Sequence, residues 1–80
     1  MIHLWTIWSC IKKRMPRGKW VDIGDIYDLI EKNNSLDEED FEWQSPSSSI
    51  PKWMRNVRNV LQYRKSKGEI EWNGQRGYKL

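Results

Sequence analysis

The sequence predicts a small α+β domain, three helices with a small antiparallel sheet, in the order helix-strand-helix-helix-strand-turn-strand. Three observations predict it. Residues 50–67 carry apolar side chains at helical spacing on a basic background, and residues 69–80 follow at once with the two-residue alternation of a hairpin. Nearer the start, two further segments of helical period flank a short stretch rich in aromatic and β-branched residues. Eighty residues provide for one small core, so residues 1–80 are expected to form a single domain.

The first helix is expected over residues 2–13, where Leu4, Ile7, Trp8 and Ile11 form a stripe. Lys12, Lys13 and Arg14 favour its C-terminal dipole, and the run from Met15 to Gly18 breaks it. Lys19 to Asp22 read as a brief strand that could pair with the hairpin as a third strand. Asp22 or Gly24-Asp25 opens a second helix with Ile23, Ile26, Tyr27, Leu29 and Ile30 as its apolar set, ended by Asn33-Asn34. In the 35–43 linker, Ser35-Leu36-Asp37-Glu38 matches a capping box and predicts an extra short acidic helix. The acidic run is read as a solvated insertion, or as a segment that repels DNA or docks a basic partner. Residues 45–49, Ser-Pro-Ser-Ser-Ser, read as a loop.

The helix over 50–67 buries Ile50, Trp53, Val57 and Leu61, with Met54 and Val60 beside them. At roughly 100° per residue, Lys52, Arg55, Asn59 and Gln62 point away from that stripe, flanked by Asn56, Arg58 and Tyr63. Ser49 is the expected N-cap, Pro51 suits the first turn, Arg64, Lys65 and Lys67 fill the last turn, and Gly68 is the expected stop. In the hairpin, Ile70 and Trp72 share one face, and Tyr78 and Leu80 lie on a common face. Asn73-Gly74 and Gly77 supply residues that tolerate positive φ, with Gln75 and Arg76 at the turn.

Composition narrows the function. Six Trp (positions 5, 8, 20, 43, 53 and 72) are read as core, with Trp43 in its acidic stretch as the exception. One Cys, Cys10, excludes an internal disulfide and is read as a buried thiol, which fits a reducing, cytoplasmic setting. A lone His3 and a lone Cys cannot build a metal site of usual spacing, and no cofactor motif is present. Asp22, Asp25 and Asp28 lack an accompanying nucleophile, base or phosphate loop, so no catalytic residue is expected. No apolar run reaches membrane-spanning length, and Met1 to Cys10 lacks the preceding cations of a signal peptide.

Net charge is only +3, but it is segregated. Residues 1–20 carry five cations and no acids, residues 21–49 one cation and nine acids, residues 50–80 eight cations and two acids. Such a dipolar chain can orient on a polyanion. Arg55 can pair with guanine, and Asn59 and Gln62 with adenine, which makes these three the candidate base readers. Lys52, Asn56, Arg58, Tyr63, Gln75 and Arg76 are the candidate phosphate or hairpin-tip contacts, and Lys12, Lys13, Arg14, Arg17 and Lys19 could extend the basic track.

This order of elements resembles the winged-helix (winged helix-turn-helix) DNA-binding family over nearly the whole chain. The specific part is Arg55 to Leu80, where Arg58, Leu61, Gln62, Arg64, Lys67-Gly68 and Arg76-Gly77-Tyr78 resemble the C-terminal winged-helix domain of adenine-methylation-dependent restriction endonucleases. The resemblance implies duplex DNA binding, helix 50–67 in the major groove and wing 73–77 on the backbone or minor groove. It places the chain among transcription regulators or restriction-modification accessory modules, nucleoid-associated if bacterial. No nuclease carboxylate and lysine cluster accompanies it, so methylation recognition is not carried over.

Two other readings stay open. A protein-interaction or homodimerising winged helix would be supported by exposed Trp5, Phe41 or Trp43. Single-strand binding would need Tyr63 and Trp72 exposed near Arg76. No small-molecule substrate or membrane partner is implied.

Overall fold

The computed structural model describes residues 1–43, 45–47 and 49–80. Its elements are α1 (Leu4–Arg14), β1 (Val21–Asp22), α2 (Ile23–Asn33), α3 (Glu38–Phe41), α4 (Lys52–Ser66), β2 (Glu71–Trp72) and β3 (Gly77–Lys79). The result is a small α+β fold with four helices and a three-stranded antiparallel sheet among the described residues. The short helix expected in the linker is α3, and the expected third strand is β1.

The core forms where the stripes of α1, α2 and α4 meet. Ile7, Trp8, Cys10 and Ile11 of α1, Ile26 and Ile30 of α2, and Trp53, Val57, Val60 and Leu61 of α4 are buried together. Met15, Ile70 and Tyr78 close the cluster from the connections and the sheet. Tyr27 meets Trp53 edge to face at 5.8 Å, which fixes α2 against α4. Leu4, expected in the α1 stripe, is exposed instead, because the first turn of α1 borders an open groove on α4.

The helix ends differ from expectation in instructive ways. α2 is capped by Asp22, whose carboxylate accepts from the Gly24 amide at 2.8 Å. It stops at Asn33 and Asn34, whose side-chain amides donate back to Leu29 O and Ile30 O. The capping box of α3 uses Asp37 and Asp40, not Ser35 and Glu38. Asp40 gains more there: it is buried, and its other oxygen accepts from the Ile2 amide at 2.9 Å. The Met1 amino group donates to Asp37 at 2.6 Å. The inner carboxylates of the acidic run thus hold the start of α1, which corrects the reading of that run as merely solvated.

α4 begins two residues later than expected, with Pro51 as N-cap in place of Ser49. Pro51 offers no side-chain acceptor, and the Lys52 amide instead donates to Glu42 O at 2.8 Å. Within the expected loop over 45–49, Ser48 lies outside the described residues. At its other end α4 closes in a Schellman motif. Glu69 N donates to Arg64 O and Gly68 N to Lys65 O, both at 3.0 Å, while Gly68 takes φ of +74°. That turn aims the chain directly into β2.

The sheet order is β1-β3-β2, so the last strand lies between the other two. Val21 pairs with Tyr78 on one edge and Trp72 with Tyr78 on the other. Gly18 N to Leu80 O and Ile23 N to Arg76 O continue the first ladder beyond the strands. Gly77 does not adopt positive φ, contrary to the turn chemistry expected of it. Its constraint is steric: a Cβ there would lie 2.5 Å from the Asn73 side-chain nitrogen, so a larger residue must displace that side chain. Asn73 Oδ1 accepts from both Gln75 N and Gly77 N and so organises the turn.

The Trp set departs most from expectation. Trp8 and Trp53 are buried as expected and Trp43, the expected exception, is exposed, but Trp5, Trp20 and Trp72 are exposed as well. Three of the exposed rings carry a cation: Lys12 over Trp5, Lys65 over Trp72 and Lys79 over Trp20, at 4.6–5.2 Å from the centroids. Cation and ring shield each other while both remain at the surface.

Two substitutions separate core from turn. Ile11→Ala, at a fully buried position, should cost about 2–5 kcal/mol in urea unfolding. Gly77→Ala should displace the Asn73 side chain; amide shifts should move at residues 73–77 and stay in place across α1 and α2.

Candidate nucleic-acid interface

α4 presents three distinct surfaces. Arg55 lies on its exposed crest, and neither Arg55 nor Arg58 has an ion pair among the described residues. Toward the hairpin, Arg58 and Gln62 join Gln75, Arg76, Trp72 and Tyr78 around one recess. Toward α1, Asn59 and Tyr63 line a groove with Trp5 and Trp8, while Asn56 borders a smaller recess with residues 1–4. The three candidate base readers therefore share the outer surface of α4 but divide between its flanks: Asn59 borders the α1 groove and Gln62 the hairpin recess.

The hairpin recess has the denser chemistry. Burial pushes the Tyr78 phenol above its ordinary range, while the Arg58 charge and the Gln62 side chain pull the other way. Burial likewise raises the Tyr27 phenol, again opposed by Arg58. Arg58 therefore brings a positive potential to a partly apolar cleft, where an approaching anion would meet little competing charge.

Arg76 is not the free cation at a hairpin tip that the sequence suggested. Its guanidinium turns back to Asp22, Nε to Oδ1 at 3.0 Å and an Nη to Oδ2 at 3.1 Å. A bidentate fork of this kind fixes orientation as well as charge. The pair joins the β3 end of the hairpin to the N-cap of α2, and the tip itself is left to Gly74 and Gln75. Hydrogen bonds from Arg76 and from the Gly24 amide hold the Asp22 carboxyl below its usual range, and the bond to Asp22 holds the Arg76 guanidinium above its own.

Lys52 is also engaged, 3.0 Å from Glu42, whose hydrogen bond raises its ammonium. Glu42, the C-cap of α3, thus borders the N-terminal end of α4. Arg64, which the resemblance includes, faces inward: it pairs with Glu69 at 3.0 Å and lies 4.9 Å from the Trp8 ring centre. Its contacts join α4 to α1 and to the turn that leads into β2. Sequence reasoning missed Asp22 as the partner of Arg76, and placed Trp72 near Arg76 only in the single-strand reading. Trp72 donates from Nε1 to Gln75 O at 3.0 Å and so ties the turn to β2. The Asp22–Arg76 partnership joins residues 54 apart in sequence, and no local spacing announces it.

Comparison with protein-family models, curated proteins and solved structures finds no match to this chain. Among the described residues no helix is long and apolar enough to cross a membrane, and no group of three His, Cys, Asp or Glu side chains is placed to hold a metal ion.

The Asp22–Arg76 fork gives a pH signature. Because the folded-state pKa of Asp22 is depressed, its contribution is present above the ordinary aspartate range and lost as pH falls through the folded value. Asp22→Asn retains a capping side chain but removes the charge. Its melting temperature should fall below that of the parent at neutral pH, and the two should converge in acid. Parallel melting curves at all pH values would show that the fork does not contribute.

Proposed function

We propose that this chain is a winged-helix domain that binds duplex DNA, with α4 in the major groove and the turn over 73–77 on the backbone or minor groove. One observation carries the reading: Arg58, Gln62, Gln75 and Arg76 converge on a single recess between α4 and the hairpin, beside the exposed crest of Arg55. A major groove admits one helix, and the flanking backbone needs cations and amide donors beside that helix. The order of helices, and a sheet whose last strand lies between the other two, agree with the winged-helix layout.

Arg55 and Gln62 are the base readers best placed in this reading, with Asn59 at the edge toward α1. Arg58 is the leading phosphate contact. Lys52 and Arg76 can reach phosphate only by exchanging their carboxylate partners for it, and exposed pairs exchange readily. Their acids make them weaker contributors than their charge alone implies.

Protein interaction is the second reading, and it has its own support. Trp5, Phe41 and Trp43 are 63%, 52% and 59% exposed, so large apolar side chains are available to a partner. Single-strand binding has less. Tyr63 and Trp72 are both exposed, but Tyr63 lies in the α1 groove and Trp72 in the hairpin recess, so they do not form one stacking ladder.

An amide-shift NMR titration with a mixed-sequence duplex, at low and then high salt, tests the proposal. Shifts should gather at residues 55–62 and 73–77 and fade with salt. On a selected site, Arg55→Ala should cost about 1–3 kcal/mol. Arg58→Ala should weaken all duplexes alike and flatten the salt slope by about one unit. Absence of shifts at low salt would overturn DNA binding.

A further inference from the structure

The groove between α1 and α4 takes no part in the reading above, except that Asn59 lies on its wall. Leu4, Trp5, Trp8, Val60 and Tyr63 make it largely apolar, on a chain otherwise rich in charge. It measures about 380 Å³, within the range of small-molecule sites. Leu4, Trp5 and Tyr63 stay exposed beside buried Trp8. Water in the groove therefore lies against apolar surface that an occupant would cover, and covering it is favourable.

Cations reach it from both helices. Lys12 of α1 lies 5.1 Å and 5.8 Å from the Trp5 and Trp8 ring centres, and Arg64 of α4 lies 6.0 Å and 4.9 Å from the same two. Among the described residues Lys12 is in no ion pair, and no acidic side chain lines the groove. Arg64 is paired with Glu69, but through one nitrogen, Nη1, which leaves other donors of the guanidinium for a second acceptor. Two indoles approached by the same two cations make one anionic position. That suits a single carboxylate better than the regularly spaced phosphates of a strand, and the apolar walls call for an apolar body beside it. No sequence motif announces such a site.

We propose that the α1–α4 groove binds a small carboxylate with an apolar body, the carboxylate held by Lys12 and Arg64 and the body set against Trp5, Trp8 and Val60. Burial of the body drives binding, and the two cations select its charge. Asn59 offers one side-chain amide at the edge. Where DNA is bound as proposed above, ligand and base compete for that amide; the rest of the site does not depend on the DNA reading. Tyr63, read from sequence as a nucleic-acid contact, is a wall of this groove instead.

An NMR titration of the chain without DNA tests this separately from the proposed function. The probes share one body and differ in charge: naphthoate, naphthalenemethanol and naphthylmethylammonium. Naphthoate should shift Leu4, Trp5, Trp8, Asn59 and Val60 saturably and bind about tenfold or more tighter than the ammonium, with the alcohol between them. Lys12→Glu, at an exposed position, should reverse the order of naphthoate and ammonium. Trp5→Ala should weaken naphthoate and alcohol alike with the circular dichroism unchanged; Lys12→Glu carries the test if that variant unfolds. No saturable shift with naphthoate overturns the proposal. So does equal binding of naphthoate and ammonium, or an order that Lys12→Glu leaves in place. Groove shifts on simple dilution of the chain would assign the groove to a second copy, and groove shifts with duplex DNA but not with naphthoate would assign it to nucleic acid; either result overturns the carboxylate site.

Discussion

β3 is hydrogen-bonded along both edges, and the geometry of the candidate interface depends on that. Gly77 and Tyr78 pair with β1, which leads straight into α2, and Tyr78 and Lys79 with β2, which follows α4. Tyr78 brings the strand into the core between those two partners. The position of the hairpin relative to α4 is thus set by pairing on both sides, by the Schellman turn at Gly68, and by the Arg76–Asp22 fork. A two-stranded hairpin on its own is marginal in water. Here it is one side of a sheet anchored through α2.

Charge and aromaticity are arranged together on this chain. Trp5, Trp20, Tyr63 and Trp72 are roofed by Lys or Arg side chains, so much of the basic surface is also aromatic surface. The acids are gathered on the α2–α3 side, where Asp37 and Asp40 hold the chain start and Glu42 holds Lys52. Such an arrangement divides α4 along its length. Its N-terminal end lies beside carboxylates, its middle bears Arg55 and Arg58, which have no ion pair among the described residues, and its last turns are clasped to α1 through Arg64. An anion approaching α4 is steered by this pattern toward the middle of the helix and the hairpin, away from α3.

Much of this was legible in the sequence, for physical reasons. The stripe Trp53-Val57-Leu61, the stop at Gly68 and the alternation after it depend on neighbours within a few residues, and local spacing encodes those. The third strand was legible as a short β-branched stretch, although only Val21 and Asp22 pair as a strand. The capping box moved because Asp40 also had a distant donor, Ile2, to satisfy. The N-cap moved from Ser49 because a backbone carbonyl at Glu42 supplied the acceptor. The fates of Arg76 and of Trp5, Trp20 and Trp72 were hidden for the same reason: each depends on a partner that topology, not spacing, delivers. Lys12 near Trp8 and Lys67 near Tyr63 are partial exceptions, since one helical turn separates each pair.

The brevity of the outer strands has a further consequence. β1 and β2 are two residues each, and each runs at once into a helix, a bend or a turn. An outer strand that short offers another chain too few unpaired backbone groups to template a growing ladder. Ribbon-like stacking of copies is thereby disfavoured, and the sheet is self-terminating. Crowded together at high local concentration, many copies could meet through their side chains while their backbones stay closed to one another.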